Sequence, residues 1–111
     1  MIVVFRLEGQ QFLALNGGPQ FKFNEAISFQ VLCGDQEEVD YFWDELSRGG
    51  DEEAQQCGWL KDRFGVSWQV IPGILPELLG GPDERRANRV MSTMLQMKKI
   101  EIDKLLAVAG D

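Results

Sequence analysis

The stretch WLKDRFGVSWQVIP, residues 59–72, decides the fold. A turn leads into an alternation that sets Val66, Trp68 and Val70 on one face and Ser67, Gln69 and Ile71 on the other. Period-two alternation of this kind predicts a half-buried strand, and Pro72 closes it. A second run, Ala26–Cys33, alternates in the same way: Ile27, Phe29, Val31 and Cys33 share one face, Ser28 and Gln30 the other.

Between the two lies the strongest helix signal in the chain. Asp35 is placed to cap it, with Glu38 three residues later as in a capping box. Val39, Phe42, Trp43 and Leu46 recur at helical spacing and form one apolar stripe, and Gly49 supplies the stop. Laid over Ile27, Phe29, Val31, Val66, Trp68 and Val70, that stripe has a partner surface. Each large side chain buried there contributes about 1.5–3 kcal/mol.

Upstream, Val3, Phe5 and Leu7 alternate with Val4, Arg6 and Glu8, turn at Glu8-Gly9-Gln10, and return as Gln11–Asn16. Residues 54–60 pass through Cys57 and Trp59 as one or two short strands. Past Pro72, a Pro- and Gly-rich connector holds one expected helical turn at Pro76–Leu79. A helix is expected from the Asp83 cap to about Lys98, with Ala87, Val90, Met91, Met94 and Leu95 as its stripe. Ile100-Glu101-Ile102 reads as extended, and Asp103 as the cap of a last short helix through Ala107. The order predicts an α+β fold with a mostly antiparallel sheet in a single domain over 1–111, C-terminal helices occupying 83–108.

Composition narrows the function. Acids outnumber bases 18 to 11, a net charge of -7, which repels nucleic acid and acidic membrane surfaces. Six bases against four acids in 83–104 are too interspersed for a basic patch. The absence of histidine excludes Ser-His-Asp and Cys-His nucleophile systems and His-rich zinc centres. No phosphate-binding glycine loop is present, and Asp51-Glu52-Glu53 reads as a surface loop. No signal-peptide pattern or spanning run is read, and Cys33 and Cys57 are expected as free buried thiols, which together point to the cytoplasm.

The polar face of the sheet remains. Ser28, Gln30, Ser67 and Gln69, with Asn16 at the rim, are candidate ligand contacts if the sheet curves around a cavity beside Phe12 and Ile71. The methionine-rich helix face reads as core or as a contact between chains.

At FLALNGGPQFKFNEAISF (12–29), DQEEVDYFWDEL (35–46), CGWLKDRFGVSWQVIP (57–72) and RVMSTMLQMKKIEI (89–102) the chain resembles the PhnB-like family. That family carries a 3-demethylubiquinone methyltransferase label and belongs to the glyoxalase/bleomycin-resistance/dioxygenase (vicinal oxygen chelate) superfamily. The resemblance is collinear along nearly the whole chain. It implies βαβββ modules whose curved sheets enclose a ligand cavity, with 26–71 as the second module and the first lacking its opening strand, helix and strand. It therefore implies a homodimer in which two chains complete each other, the helix around Met91–Leu95 contributing.

Metal-dependent members of the superfamily hold a divalent ion on the inner face. Their ligand positions fall at Gln69, near Ala26 and near Asn16. Alanine cannot ligate, and the amides are poor partners for hard cations, so no tightly bound metal is expected from one chain. Methyl transfer finds no support either, because a doubly wound methyl-donor domain needs parallel strands and a glycine-rich turn. The reading is a small-molecule binding protein. The alternatives are a metal-dependent lyase, isomerase or dioxygenase with a site shared between subunits, and a non-catalytic interaction protein.

Overall fold

The computed structural model describes residues Met1–Gly110. Strands β1 (Ile2–Leu7) and β2 (Gln10–Leu15) form an antiparallel hairpin, turned at Glu8 and Gly9 with φ of 50° and 78°. Two successive positive φ values are what a two-residue hairpin turn of right-handed twist demands. β3 (Ser28–Cys33) leads into α1 (Gln36–Ser47), followed by a 3-10 turn at Glu52–Ala54, then β4 (Trp59–Lys61) and β5 (Ser67–Pro72). The chain ends in α2 (Leu75–Leu79), α3 (Glu84–Met94) and α4 (Ile102–Ala109).

The second sheet has the order β3-β5-β4. β4 and β5 are antiparallel, but β3 and β5 run parallel, because α1 carries the chain back across the sheet before β5 is laid down. One parallel pair thus stands beside the antiparallel pairings, an element of the sheet that the strand patterns alone did not specify. The turn from β3 into α1 is nevertheless closed by the chain itself. Asp35 accepts from the Glu38 amide at 2.9 Å, and Glu38 accepts from the Gly34 amide at 2.9 Å.

The helix-side face packs as the alternation requires. Cys33, Val39, Trp43, Leu60 and Val70 are buried together, with Val31, Phe42, Leu46 and Trp68 against them. Ile27 departs from the expected face, since β3 begins at Ser28 and Ile27 lies outside the strand, 74% exposed. A second core joins Ile71 of β5 to the helices through Leu75, Leu78, Val90, Met94, Ile100 and Leu105.

The helical ends differ from the expected ones. α3 stops at Met94, short of Lys98, because the Met97 and Lys98 carbonyls turn away to accept from the Cys57 and Gly58 amides, each at 2.8 Å. α4 begins at Ile102 with Glu101 in the cap position, so Asp103 lies inside its first turn. The Ile102 amide instead donates to Gln36 Oε1 at 2.7 Å, and Gln36 Nε2 donates to the Ile100 carbonyl at 3.0 Å. One side chain of α1 therefore fixes the start of α4. At the other end Arg89 of α3 donates to the Val108 and Ala109 carbonyls at 2.7 and 3.2 Å, closing the helix C-terminus.

The β1–β2 hairpin stands away from both cores. Phe5 stacks on Phe12, and Phe12 meets Phe29 edge-on at 6.0 Å between ring centres. Ile2, Val3, Val4, Leu7, Leu13 and Leu15 are all at least 48% exposed. The radius of gyration is accordingly 16.2 Å, against about 13 Å for a compact chain of this length. Among the described residues, no helix is long and apolar enough to cross a membrane.

Candidate functional site

The register of β3 and β5 brings the polar face together. Ser28 pairs with Ser67 and Gln30 with Gln69, so the four expected residues form a two-by-two patch. Within it, Gln69 Nε2 donates to Ser28 Oγ at 2.9 Å, and Gln30 Nε2 reaches Gln69 Oε1 at 3.5 Å. Both ends of the Gln69 amide are held, which fixes its orientation at the sheet surface. Ser67 is buried, 3% exposed, and neither it nor Ser28 lines the cleft on this face.

Asn16 is not part of this patch. It lies at the far end of the hairpin, where its amide donates to the Met1 carbonyl at 3.0 Å. Phe12 also leaves the expected cavity, because its ring packs on Phe29, whose side chain shares the helix-side face with Trp68. The hairpin thus joins the sheet on the face opposite Gln30 and Gln69.

A cleft of about 710 Å³ opens on the glutamine face, in the range typical of small-molecule sites. Gln30, Gln69 and Ile71 form its sheet wall. α2 and the end of α3 supply the opposite wall through Leu75, Leu79, Met94 and Leu95. Gln56, Cys57 and Trp59 close one end. The expected methionine stripe is therefore divided: Val90 and Met94 enter the core, Leu95 borders the cleft, and Met91 is 39% exposed.

Trp59, Gln56 and Cys57 carry no periodic signal as site residues. Trp59 was legible in principle, because closing the hairpin through the Asp62–Gly65 turn sets it directly opposite Gln69, on the same face. Gln56 and Trp59 pair through both backbone bonds around a tight turn at Cys57 and Gly58, whose φ values are 52° and 85°. A side chain at Gly58 would also press on Ile71, Ile100 and the Val70 carbonyl at 3.0–3.1 Å. Here glycine answers both the backbone conformation and the close approach.

Burial pushes the Cys57 thiol up from its ordinary value, which keeps it protonated near neutral pH. Cys33 lies on the other face, its thiol pushed up to about 11 by burial and by the Glu38 and Asp35 carboxylates. Both cysteines are free.

The donor set does not suit a resident divalent cation. Ala26 precedes β3 and offers no ligand, and the neighbours of the Gln69 amide are a hydroxyl and a second amide. Among the described residues no three His, Cys, Asp or Glu side chains gather. Asp51, Glu52 and Glu53 form the capped 3-10 turn, Asp51 accepting from the Glu53 amide at 3.0 Å.

An α+β fold of the glyoxalase-like type, with a cleft on the amide-bearing face of its β-sheet, defines the class. The chain belongs to the family described as 3-demethylubiquinone-9 3-methyltransferase, whose model matches residues 1–71. The solved PhnB protein from Bacillus cereus is similar at 30% identity with a TM-score of 0.58, over 66% of this chain and 64% of that one. The chain therefore spans somewhat under two thirds of that structure. No curated protein matches it. The family match ends at Ile71, so the helical wall of the cleft lies beyond it.

Proposed function

We propose that this chain binds a small molecule in the cleft between the glutamine face of the sheet and helices α2 and α3, without a resident metal. The observation that carries the reading is the Gln69 amide, held by Ser28 and Gln30 at the wall of a largely apolar cleft. A few oriented polar groups in an apolar concavity are the usual form of a ligand site. The resemblance to the glyoxalase/bleomycin-resistance superfamily supports it, since that resemblance implies curved sheets that enclose a ligand cavity. Methyl transfer is not part of the proposal: the sheet has a single parallel pair, and the one glycine after β3 is capped by Glu38.

A homodimer belongs to the same reading. A two-stranded hairpin with apolar side chains exposed on both faces is marginal alone, and a second copy would cover it. Free thiols are consistent with a reducing cytoplasm.

A thermal-shift screen against a small-molecule library tests the binding proposal. A ligand at a hundred times its dissociation constant adds about 2.7 kcal/mol of stability. Occupancy of the cleft should also slow alkylation of Cys57, which lines it. Hits that stabilise the protein yet leave Cys57 alkylation unchanged and survive Gln69→Ala would place binding elsewhere and sink the assignment.

A further inference from the structure

We infer that the cleft selects an uncharged, flat ligand with an amide-type donor and acceptor edge, stacked on Trp59 and hydrogen-bonded to the Gln30–Gln69 pair. The inference rests on the binding proposal above and adds the chemical class of the ligand.

Charge is the first argument. The polar side chains that line the cleft are Gln30, Gln56 and Gln69, with the Cys57 thiol, and no lysine, arginine, aspartate or glutamate lines it. A charged ligand would give up its hydration there and meet no counter-charge. An anion is further opposed by the net charge of -7. A cation would find a single indole at the cleft mouth, and one partly exposed ring does not replace a hydration shell.

Hydrogen-bond arithmetic is the second. An amide carries two donor hydrogens and one acceptor oxygen with two lone pairs. Gln69 Nε2 commits one hydrogen to Ser28 Oγ, and Gln30 Nε2 commits one to Gln69 Oε1. That leaves the second N–H of each amide, the Gln30 carbonyl oxygen and one lone pair on Gln69 Oε1 uncommitted, so the pair offers both donors and acceptors. A carboxamide or lactam edge, which carries both a donor and an acceptor, can use both kinds of group, whereas a carboxylate uses only the donors and an ammonium only the acceptors.

Position is the third. Trp59 and Gln69 are register partners on β4 and β5, so their side chains leave the same face as neighbours. A ring lying over the indole carries its polar edge to the amides.

Three indole probes of similar size that differ in side-chain charge and in hydrogen-bonding groups make the test: indole-3-acetamide, indole-3-acetate and tryptamine, titrated into the full chain at neutral pH. Binding is read by NMR from the Trp59 indole N–H and the Gln30 and Gln69 side-chain amides. The acetamide should bind at least about tenfold more tightly than either charged probe. Gln69→Leu should remove that preference, and Gln30→Leu, at an exposed position, gives the same readout if the first variant folds poorly. A charged probe binding these signals within tenfold of the amide, or a preference that survives both variants, overturns the inference and leaves the cleft a ligand site of another class. No shift from any of the three up to millimolar concentration also overturns it. The binding proposal itself falls only if the thermal-shift library yields no cleft ligand either.

Discussion

Asp62 accepts a hydrogen bond from the Trp68 indole at 2.9 Å through one carboxylate oxygen, while its other oxygen accepts from the Phe64 and Val66 amides at 2.9 and 3.0 Å. The side chain that turns the chain from β4 into β5 thus also holds the aromatic residue that β5 sends to the helix-side core. Turn, strand register and packing are set by one carboxylate. The register in turn puts Gln69 opposite Trp59 at the cleft.

Asp62→Ala should therefore destabilise the protein by about 2–4 kcal/mol, since a charge-assisted bond and two backbone partners are lost together. Trp68→Phe removes only the indole donor and some packing, about 1–2 kcal/mol. In a double-mutant cycle by urea denaturation the two changes should couple by roughly 1 kcal/mol. Strict additivity would mean that the indole bond contributes nothing in solution.

Short-range order was legible in the residues themselves. The Asp35 cap, the Val39-Phe42-Trp43-Leu46 stripe and the Ser28/Gln30 and Ser67/Gln69 alternations each follow from a local period, and all four polar residues do meet. What periodicity cannot carry is where distant segments meet. Met97 and Lys98 look helical by spacing, yet their carbonyls serve Cys57 and Gly58, forty residues earlier. The cleft wall made by Leu75, Leu79 and Leu95 has the same origin. Asn16, expected at the rim of the polar face, lies instead at the end of a hairpin that meets the opposite face through Phe12 and Phe29.

Gln36 gives the second prediction. Its amide donates to Asp40 and to the Ile100 carbonyl and accepts from the Ile102 amide, and Lys99 pairs with Asp40 at 2.8 Å beside it. Gln36→Ala strands two backbone groups where the C-terminal segment docks on α1. The expected loss is about 1–3 kcal/mol. Because α4 loses its anchor, limited proteolysis should cut first between residues 95 and 102, whereas Gln36→Glu restores only the acceptor and should be intermediate. Unchanged cleavage in Gln36→Ala would show that the clamp does not hold this segment.

Cys33 sets an alkaline limit. Its thiol is raised from an ordinary value of 9.0 to about 11, by burial first and by Glu38 and Asp35 next. With the folded value above the unfolded one, the native chain binds the proton more tightly. The contribution to stability is complete below about pH 9 and is lost as pH rises toward 11. The unfolding free energy from denaturant titration should fall across that window by an amount on the order of 2 kcal/mol. Cys33→Ala, less stable throughout because of the cavity, should lack this part of the slope. An identical alkaline slope in both proteins would assign the loss to other groups.

The hairpin supplies the last prediction. Val4 and Leu13 are register partners on one of its faces, 56% and 58% exposed, and nothing in a single chain covers them. Water against two such rows of apolar side chains disfavours the lone hairpin, whereas a second chain laid along it buries them at about 25 cal/mol per Å². Stable interfaces bury about 1,200–2,000 Å², and Phe21, Phe23 and Phe64 are further exposed apolar side chains outside the hairpin. Sedimentation at low micromolar concentration should accordingly give a dimer. Val4→Lys combined with Leu13→Lys puts two like charges on that face and should shift the boundary to the monomer, while α1 and the C-terminal core keep their circular dichroism signal. A wild-type chain that sediments as a well-folded monomer at every concentration would contradict the dimer, and the hairpin would then be stable without cover.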